Sequence, residues 1–445
     1  MNKNFLSKLL ILFVILSLFS GVFTYISSLS NNPIIKLWKE IFIIALFIFS
    51  LLSYLPKINT KMLKLLLITI LLFSVFVVSS IYNLTLEIII YQLKLDFISI
   101  IFFISCYLIM NKLSSNELSI YTKRIVRIFL ICGGINAIFV IFQHYFTDVF
   151  YNLVGIGNDF TYGMINGLKI TTAKGRIRAI GFQFNFLQAG QLMTICIITI
   201  CENKKRLGLN KYKFICYLSI FISALMFTTY KTGILGILIY CIFKSLRLFT
   251  ISKRQIFNIE LLISQFILFI SFIITNTLLL YDIIYNLDPF YAYNSVFLRV
   301  VQHKDIISEA QTIKEIILGL GFGKNGTFGL DKYQYGISAK TLDSTFIYLF
   351  SNYGILILIL FIIITYYLII KINCLASLDI FGVKYVLLYI LTSEFFYNNP
   401  IANFPTNIIL IFGISIFLVS KNKYKYEYKS KLNEDDTTVL LQCVN

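Results

Sequence analysis

A chain of 445 residues that is 58% hydrophobic and only 13% charged does not have the composition of a water-soluble protein, since soluble domains carry roughly 25% charged residues. Its mean hydropathy of +0.82 and its repeated long apolar runs indicate an integral membrane protein with many spans. The formal net charge of +18 would suggest a nucleic-acid partner in a soluble protein. In a membrane protein, lysine and arginine collect in the cytoplasmic loops instead, so we expect no nucleic-acid partner.

The eight cysteines and two histidines give little basis for a disulfide framework or a metal centre. No two cysteines form a C-x-x-C motif, and the two large loops described below contain no cysteine. The histidines, His144 and His303, are too few for a histidine-rich metal site. We therefore expect neither a metal nor another cofactor.

Twelve apolar stretches predict membrane-spanning helices. The first follows the basic start "MNKNFLSKLL" and resembles a signal peptide, but no clear cleavage site follows, and we interpret it as an uncleaved span. The predicted helices cover 5–27, 40–56, 62–82, 95–111, 126–146, 183–201, 213–229, 233–247, 257–281, 344–370, 380–397 and 405–420. The fold class is thus predicted to be all-α: a polytopic integral membrane protein with about 12 transmembrane helices.

The distribution of positive charge predicts the orientation. When the N-terminus is placed in the cytoplasm, most lysines and arginines fall in inner segments, and the short outer loops carry only Lys36, Lys39, Lys94 and Lys231. This bias predicts that both termini are cytoplasmic. A single transmembrane helical domain then covers 1–420, and 421–445 form a basic cytoplasmic tail that contacts anionic lipid.

Two large outer loops, at about 147–182 and 282–343, interrupt the pattern of short connections. Both contain Phe, Tyr, Ile and Leu throughout, so their composition does not predict disorder, and long ordered loops are commonly functional. Apolar residues at helical spacing predict a helix within "SVFLRVVQHKDIISEAQTI" along the outer membrane face. The string "GFGKNG" matches a dinucleotide-binding pattern, but no βαβ unit surrounds it, and we interpret its glycines as a turn.

The first outer loop ends in a cluster of positive charges. The stretch "AKGRIRAIGFQFNFLQAGQLM" places Arg176 and Arg178 directly before a predicted span. Arginines at a membrane surface can simply anchor lipid head groups. Because outer loops are otherwise poor in such charges, four of them in this loop, with Lys169 and Lys174, indicate an anionic ligand instead. Arginine suits phosphate, which it grips by a two-pronged contact.

A third basic candidate, Lys231, lies in the short turn "TTYKTGILG" between two predicted spans. Hydroxyl-bearing residues flank it on both sides, and Gly233 permits a tight helix start. The lysine is either a solvated turn charge or a partner for a phosphate or a leaving oxygen.

The second outer loop contributes residues of a different kind. Arg299 and His303 are four positions apart, on one face of the predicted helix. Asp343, in "TLDSTFIYLF", begins the next helix and is followed by Ser344. The aspartate is either an N-cap or a carboxylate that accepts a proton from a sugar hydroxyl. Both roles are compatible with its position.

Three amide or carboxylate residues lie at or inside later spans. Gln183 and Asn185 place amides at the start of the sixth predicted span. Glu394 lies within the eleventh and is predicted to face the interior of the helix bundle, since a carboxylate facing lipid would be costly.

The order of these motifs resembles the O-antigen polymerase and O-antigen ligase superfamily of integral-membrane enzymes. The resemblance is carried by "RAIGFQFNFLQAG", by the turn "TYKTG", and by "FLRVVQHKDII", "LGLGFG" and "LDSTFIYLFSNYGI". It covers roughly 150–360, together with the number of spans. The turn has Lys231 where the family often has arginine. Asp343-Ser344 stands where ligases tend to have His-Asn, which favours a polymerase.

The resemblance implies an enzyme that joins polyprenyl-diphosphate-linked oligosaccharide repeat units into O-antigen or capsular polysaccharide. It would act at the outer face of the bacterial cytoplasmic membrane, where the lipid diphosphate, such as undecaprenyl diphosphate, leaves as the glycan is transferred. No metal or nucleotide sugar is implied. The implied partners are membrane lipid, the lipid-linked oligosaccharide, and flippase and chain-length regulator proteins.

The resemblance also implies roles for particular residues. Four cations would bind the substrate diphosphate: Arg178, Arg299, Lys231 and Arg176. Two residues would provide the base for the acceptor hydroxyl: Asp343, with His303 in reserve. Three polar residues would contact the donor or acceptor sugar: Gln183, Asn185 and Ser344.

Two alternatives stay open. A ligase of the same superfamily would hand the finished glycan to a terminal acceptor. A transporter, such as a lipid-linked oligosaccharide flippase, would place polar residues at the bilayer midplane on broken helices. Glu394, a carboxylate inside a predicted span, is compatible with this alternative.

Overall fold

The computed structural model describes residues 3–54, 60–80, 84, 86–154, 162–165, 168–173, 176–249, 252–276, 295–325, 342–375, 378–379 and 381–429. Helices dominate this part of the chain, and each of the twelve predicted stretches contains one. The α-helices are Lys3–Ser17 (α1), Ser20–Leu29 (α2), Trp38–Tyr54 (α3), Thr60–Ser80 (α4), Leu86–Asn111 (α5), Ser115–Tyr145 (α6), Thr147–Val154 (α7), Phe186–Leu207 (α8), Lys211–Phe227 (α9), Lys231–Ser245 (α10), Lys253–Asn276 (α11), Ser295–Glu309 (α12), Ile313–Leu318 (α13), Thr345–Cys374 (α14), Val383–Tyr389 (α15) and Thr406–Lys429 (α16).

Within the described ranges, five helices are both long enough and apolar enough to cross a membrane. They are α5, α6, α11, α14 and the Thr406–Lys423 part of α16, and α1 with α2 makes a sixth if the bent pair is one span. Some of the other predicted spans are shorter: α3 and α9 have 17 residues and α10 has 15, whereas a straight crossing takes roughly 20. The structure thus supports a membrane-embedded helical protein, and the number of twelve crossings stays a prediction.

Three interruptions break the helices in the described bundle. The axes of α1 and α2 meet at 70°. Gly354 has φ 76° and ψ −177° inside α14, a backbone conformation that essentially only glycine adopts. A π-helical turn, Ile390–Glu394, follows α15. Backbone groups freed at such breaks need partners inside a membrane protein. At the first break, the Leu18 carbonyl accepts hydrogen bonds from the side chains of Asn136 and Gln183.

The first outer loop contains strands, which the sequence analysis did not predict. After α7, β1 (Tyr162–Ile165) pairs antiparallel with β2 (Leu168–Ala173), which pairs antiparallel with β3 (Arg176–Ile177). Ile170 and Ile177 are buried against Phe150 of α7. This small sheet leads directly into the segment before α8 that carries Arg178.

In the second outer loop, the predicted helix is present as α12, and the predicted glycine turn follows α13. Gly319, Gly321 and Gly323 all have positive φ. The turn is fastened to the break in α14, because the Leu320 amide donates to the Ser351 carbonyl at 2.8 Å. The residues between α11 and α12, 277–294, and those at 326–341 lie outside the described part of the chain, as does the predicted tail beyond Lys429.

Both ends of the described chain lie at one end of the bundle. α5 ends at Asn111 and α6 begins at Ser115. The Tyr121 hydroxyl near this turn donates to the Ser7 carbonyl of α1, and the Lys423 ammonium of α16 donates to the Met110 carbonyl. This arrangement agrees with termini on one side of the membrane, and which side they face stays a prediction.

The first arginine-bearing segment lies at the opposite end of the bundle. Gln143, near the far end of α6, holds the backbone of Ile180 and Gly181 through three hydrogen bonds of 2.8–3.1 Å. At 1.5 Å per residue, this point lies roughly 40 Å along α6 from its start. Arg178 therefore sits far from both described chain ends.

Candidate functional site

Arg178 is fixed by the turn between α9 and α10. Its Nε donates to the Thr229 hydroxyl at 2.6 Å and its Nη2 to the Thr229 carbonyl at 3.0 Å. Thr229 has a positive φ of 53°, which is uncommon for a residue with a side chain. The guanidinium also lies 3.5 Å from the centre of the Phe186 ring, a cation–π contact. The side chain is therefore held in one orientation while still half-buried.

Arg299 is held by the segment that follows the π-helical turn. Its Nε donates to the Tyr397 carbonyl, and its Nη2 donates to the Asn398 side-chain oxygen at 3.3 Å. The amide nitrogen of Asn398 donates in turn to the Thr232 hydroxyl at 2.8 Å. Thr232 lies in the first turn of α10, directly after the turn that holds Arg178, so the supports of the two arginines are in direct contact.

The two guanidinium groups are close enough for the charge of one to act on the other. Burial and then the positive charge of Arg299 lower the pKa of Arg178 to about 10. The contacts of Arg178 with Thr229 and Phe186 are to neutral groups. Two cations brought together from separate loops repel each other, and an anion placed between them would relieve that repulsion. A phosphate group suits such a position, because guanidinium binds it in a planar, two-pronged manner.

The other two predicted cations contribute less to this geometry. Lys231 begins α10 next to the Arg178-holding turn, and its side chain is exposed. Arg176 lies in β3, paired with Ala173, and its side chain is outside what the structure describes.

His303 and the start of α14 lie beside Arg299. The His303 Nε2 is 2.9 Å from the Ser344 hydroxyl, its Nδ1 is 3.4 Å from the Asn276 side-chain oxygen, and the ring stacks on Phe346. Burial and then the charge of Arg299 lower the pKa of His303 to about 3. Such a histidine is neutral at physiological pH and is a weak base, since effective catalytic bases have a pKa near the working pH.

The sequence left two roles open for Asp343, the N-cap of α14 and a proton-accepting carboxylate, and Ser344 takes the first. The N-cap is Ser344, whose hydroxyl accepts from the Ile347 amide at 3.1 Å. Asp343 is exposed, and its backbone amide donates to Gln302 at 3.2 Å. Its carboxylate is therefore not used in capping α14 and stands at the surface beside the His303–Ser344 pair.

The three predicted sugar contacts have structural partners here. Gln183 is 1% exposed; its amide nitrogen donates to the Leu18 carbonyl at 2.5 Å and its oxygen accepts from the Ser20 hydroxyl. Asn185 caps α8 by accepting from the Gln188 amide at 2.9 Å. Ser344 is fully buried between His303 and the α14 backbone. These contacts place Gln183 and Ser344 in the framework of the site rather than on its surface.

Glu394 faces the interior of the bundle, as predicted. It is fully buried and accepts hydrogen bonds from the hydroxyls of Tyr230 and Tyr389 and from the Gln191 side chain. The sequence revealed a carboxylate in an apolar span, but Tyr230, before α10, and Gln191, in α8, are distant in the chain and could not be paired with it without the structure.

A second carboxylate with three hydrogen-bond donors, the half-buried Asp96 in α5, was not among the residues predicted from the sequence. It accepts hydrogen bonds from the hydroxyls of Tyr348 and Tyr353 in α14 and from Gln92. The only signal in the sequence is the charged string "YQLKLD" at the start of the predicted span 95–111. In the structure this string lies inside α5.

Two further findings bear on the identity of the site. Among the described residues, no group of three or more His, Cys, Asp or Glu side chains is arranged to hold a metal ion. The chain matches no protein-family model, no curated protein sequence and no solved structure.

Proposed function

We propose that the chain is a polysaccharide polymerase that joins lipid-diphosphate-linked oligosaccharide repeat units at a membrane surface. The observation that carries the proposal is the pairing of Arg178 and Arg299 through Thr229, Thr232 and Asn398. The order of motifs in the sequence supports the same function. Both arginines come from the large loops in which we expect that chemistry.

In the proposed reaction, a hydroxyl of the acceptor sugar attacks the anomeric carbon of the donor glycan. The new glycosidic carbon–oxygen bond forms as the bond between that carbon and the lipid diphosphate breaks, and the diphosphate departs with the bonding electrons. Arg178 and Arg299 stabilise the negative charge that grows on it, which is the kind of interaction that lowers a barrier. The hydroxyl proton passes to the carboxylate of Asp343.

We assign the base to Asp343 and give His303 a supporting role. The exposed carboxylate of Asp343 can meet a substrate hydroxyl. His303 is fully buried, and its low pKa of about 3 makes it a poor proton acceptor. Its contact with Ser344 holds the start of α14, and thereby the position of Asp343.

The test is the length distribution of polysaccharide made in the native host by Arg178→Ala and Arg299→Ala. Each change should leave mostly single repeat units, and Arg178→Lys should not restore long chains, because lysine lacks the planar fork. Lys205→Ala is a matched control: an exposed cation at the end of α8 remote from Arg178. Unchanged chain lengths in both arginine variants, at normal protein levels, would refute the proposal.

A transporter of lipid-linked oligosaccharide is the second candidate, and specific observations favour it. Glu394 is a fully buried carboxylate and Asp96 a half-buried one within the bundle, and α1–α2 and α14 are broken helices. Transporters build their sites from such parts. Formation of polymer by purified protein in detergent, where no transport is possible, would exclude a pure transporter.

A ligase is a variant of the same proposal, and gene deletion separates the two activities. Loss of a polymerase leaves single repeat units on the final acceptor. Loss of a ligase leaves polymer stranded on the lipid diphosphate.

A further inference from the structure

Two short segments support the paired arginines. The first, called the turn 228–232, consists of the turn after α9 and the first two residues of α10. Its Thr229 binds Arg178. The second is the segment 394–399, in which Tyr397 and Asn398 bind Arg299. The distance between the two guanidinium groups therefore depends on how these two segments are held together.

Glu394 is the residue on which both segments converge. Its carboxylate accepts from the hydroxyl of Tyr230, which lies at the centre of the turn 228–232. Its backbone carbonyl accepts from the amides of Tyr397 and Asn398 at 2.9 and 2.7 Å. One residue is thus bonded by its side chain to the support of Arg178 and by its backbone to the support of Arg299.

The remaining contacts hold Glu394 itself in place. Tyr389 donates to the other carboxylate oxygen, and Gln191 of α8 donates at 3.4 Å to the oxygen that Tyr230 also contacts. Gln191 is in turn fixed by Thr406 of α16, whose hydroxyl donates to it at 2.9 Å. The π-helical turn 390–394 ends at this residue, and such turns are frequent at functional sites.

Placing a carboxylate at a fully buried position is unfavourable in free energy. Removing its charge from water costs several kcal/mol unless hydrogen bonds compensate, and an apolar residue of similar size would often be no less stable. Hydrogen bonds to a charged acceptor are, however, roughly twice as strong as neutral ones. A side chain that accepts hydrogen bonds from three donors is thus well suited to fixing a distance.

We propose that Glu394 is a positioning residue that sets the spacing between Arg178 and Arg299. The proposed function enters this inference at one point only: it explains why the spacing matters, because the two arginines must match a diphosphate. Glu394 touches neither guanidinium and acts through Tyr230 on one side and through Tyr397 and Asn398 on the other.

Asp96 provides a matched control within the same protein. It too is a carboxylate that accepts from two tyrosines and one glutamine. Its donors, Gln92, Tyr348 and Tyr353, belong to neither arginine-supporting segment. A variant at Asp96, which is half-buried, therefore carries the cost of disturbing a carboxylate with the same kinds of donor, without the positioning effect.

The test is thiol cross-linking between Thr232→Cys and Asn398→Cys, in a chain whose eight native cysteines are replaced by alanine. These two side chains are in contact at 2.8 Å, so a short bis-thiol reagent should join them. Replacing both removes their own hydrogen bond and leaves the tie between Tyr230 and Glu394. Adding Glu394→Gln should then slow cross-linking roughly tenfold, about the worth of one charge-assisted hydrogen bond, whereas Asp96→Asn should leave it unchanged.

Two more variants keep the result decisive. Tyr230→Phe removes only the hydroxyl and should slow cross-linking as much as Glu394→Gln, so it decides the matter if the latter does not fold. Glu394→Asp keeps a carboxylate and should recover part of the rate. Parental cross-linking in Tyr230→Phe and in any folded Glu394→Gln would overturn the proposal, and so would an equal loss in Asp96→Asn.

The cross-linking result and the proposed function can fail separately. Cross-linking requires no substrate, so it reports spacing even if the protein makes no polysaccharide. Slower cross-linking in Glu394→Gln, together with normal polymer in Arg178→Ala, would keep the positioning role and reject the polymerase. Shortened polymer in Arg178→Ala with unchanged cross-linking in Glu394→Gln would reject the positioning role alone.

Discussion

At the scale of single residues, burial decides what chemistry each side chain can perform. His303 looked like a reserve base in the sequence. In the structure it is enclosed by Ser344, Phe346 and Asn276, and Arg299 adds a nearby positive charge. Both influences disfavour its protonated form, so the neutral ring serves as a fixed hydrogen-bonding partner.

This environment predicts that His303 makes the protein less stable in acid. With a pKa of about 3 in the folded protein and 6.5 as its ordinary value, the unfolded chain binds a proton below pH 6.5 that the folded protein does not accept until about pH 3. Stability from this group is therefore complete above pH 6.5 and falls as the pH drops. Between pH 7.5 and 5 the loss should be about 2 kcal/mol.

The measurement is the apparent melting temperature of purified protein at the two pH values. The native chain should lose more stability on acidification than His303→Gln, which cannot titrate. Equal losses in the two proteins would show that His303 is protonated freely and that its surroundings differ from those described.

The residues of the site were predictable in part. The sequence placed Arg178 directly before a predicted span and Arg299 on a predicted helix of the second large loop, and the family resemblance alone implied that the two act together. The hydrogen bonds of Tyr230 to Glu394 and of Tyr348 to Asp96 could not be foreseen, because they join residues far apart in the chain, and no sequence pattern marks the positive φ of Thr229.

At the scale of elements, the helices were predictable because their apolar runs are long. Their interruptions were not. The bend between α1 and α2 is stabilised by Asn136 and Gln183, more than a hundred residues away, and the strands of the first loop are too short to leave a clear alternating pattern. The break at Gly354 likewise depends on α13, which packs directly against it.

Gly354→Ala should therefore be strongly destabilising. A Cβ at this position would lie 2.0 Å from the Ile317 carbonyl oxygen, and φ 76° with ψ −177° is strained for any side chain. We expect a loss of at least about 3 kcal/mol, seen as a large drop in melting temperature or in folded yield.

Gly208→Ala is the control for this prediction. Gly208 also has a positive φ, 65°, but a Cβ there would meet nothing within 4 Å. Its cost should be about 1 kcal/mol, from backbone strain alone. Equal effects of the two substitutions would mean that α13 does not pack against the break in α14.

At the scale of the whole molecule, the bundle has two chemically distinct ends. One carries the start of α1 and the later part of α16. The other carries the paired arginines, His303 and Asp343. The charge bias in the sequence predicts that the arginine end faces outward.

Thiol labelling tests this orientation in intact cells. In a chain without native cysteines, Lys231→Cys lies at the arginine end and Lys205→Cys at the other, and both positions are exposed. A membrane-impermeant reagent should label the first in intact cells and the second only after the cells are opened. The reverse pattern would place the paired arginines in the cytoplasm and exclude chemistry at the outer face.

The most direct test of the account is turnover by the purified protein in detergent with a polyprenyl-diphosphate-linked repeat unit. We expect the native chain to release lipid diphosphate and form oligomers of the repeat unit, and the Arg178→Ala/Arg299→Ala double variant, folded to the same melting temperature, to do neither. Equal turnover by the two proteins, or no turnover by the native chain, would contradict the claim that the paired arginines stabilise a departing diphosphate.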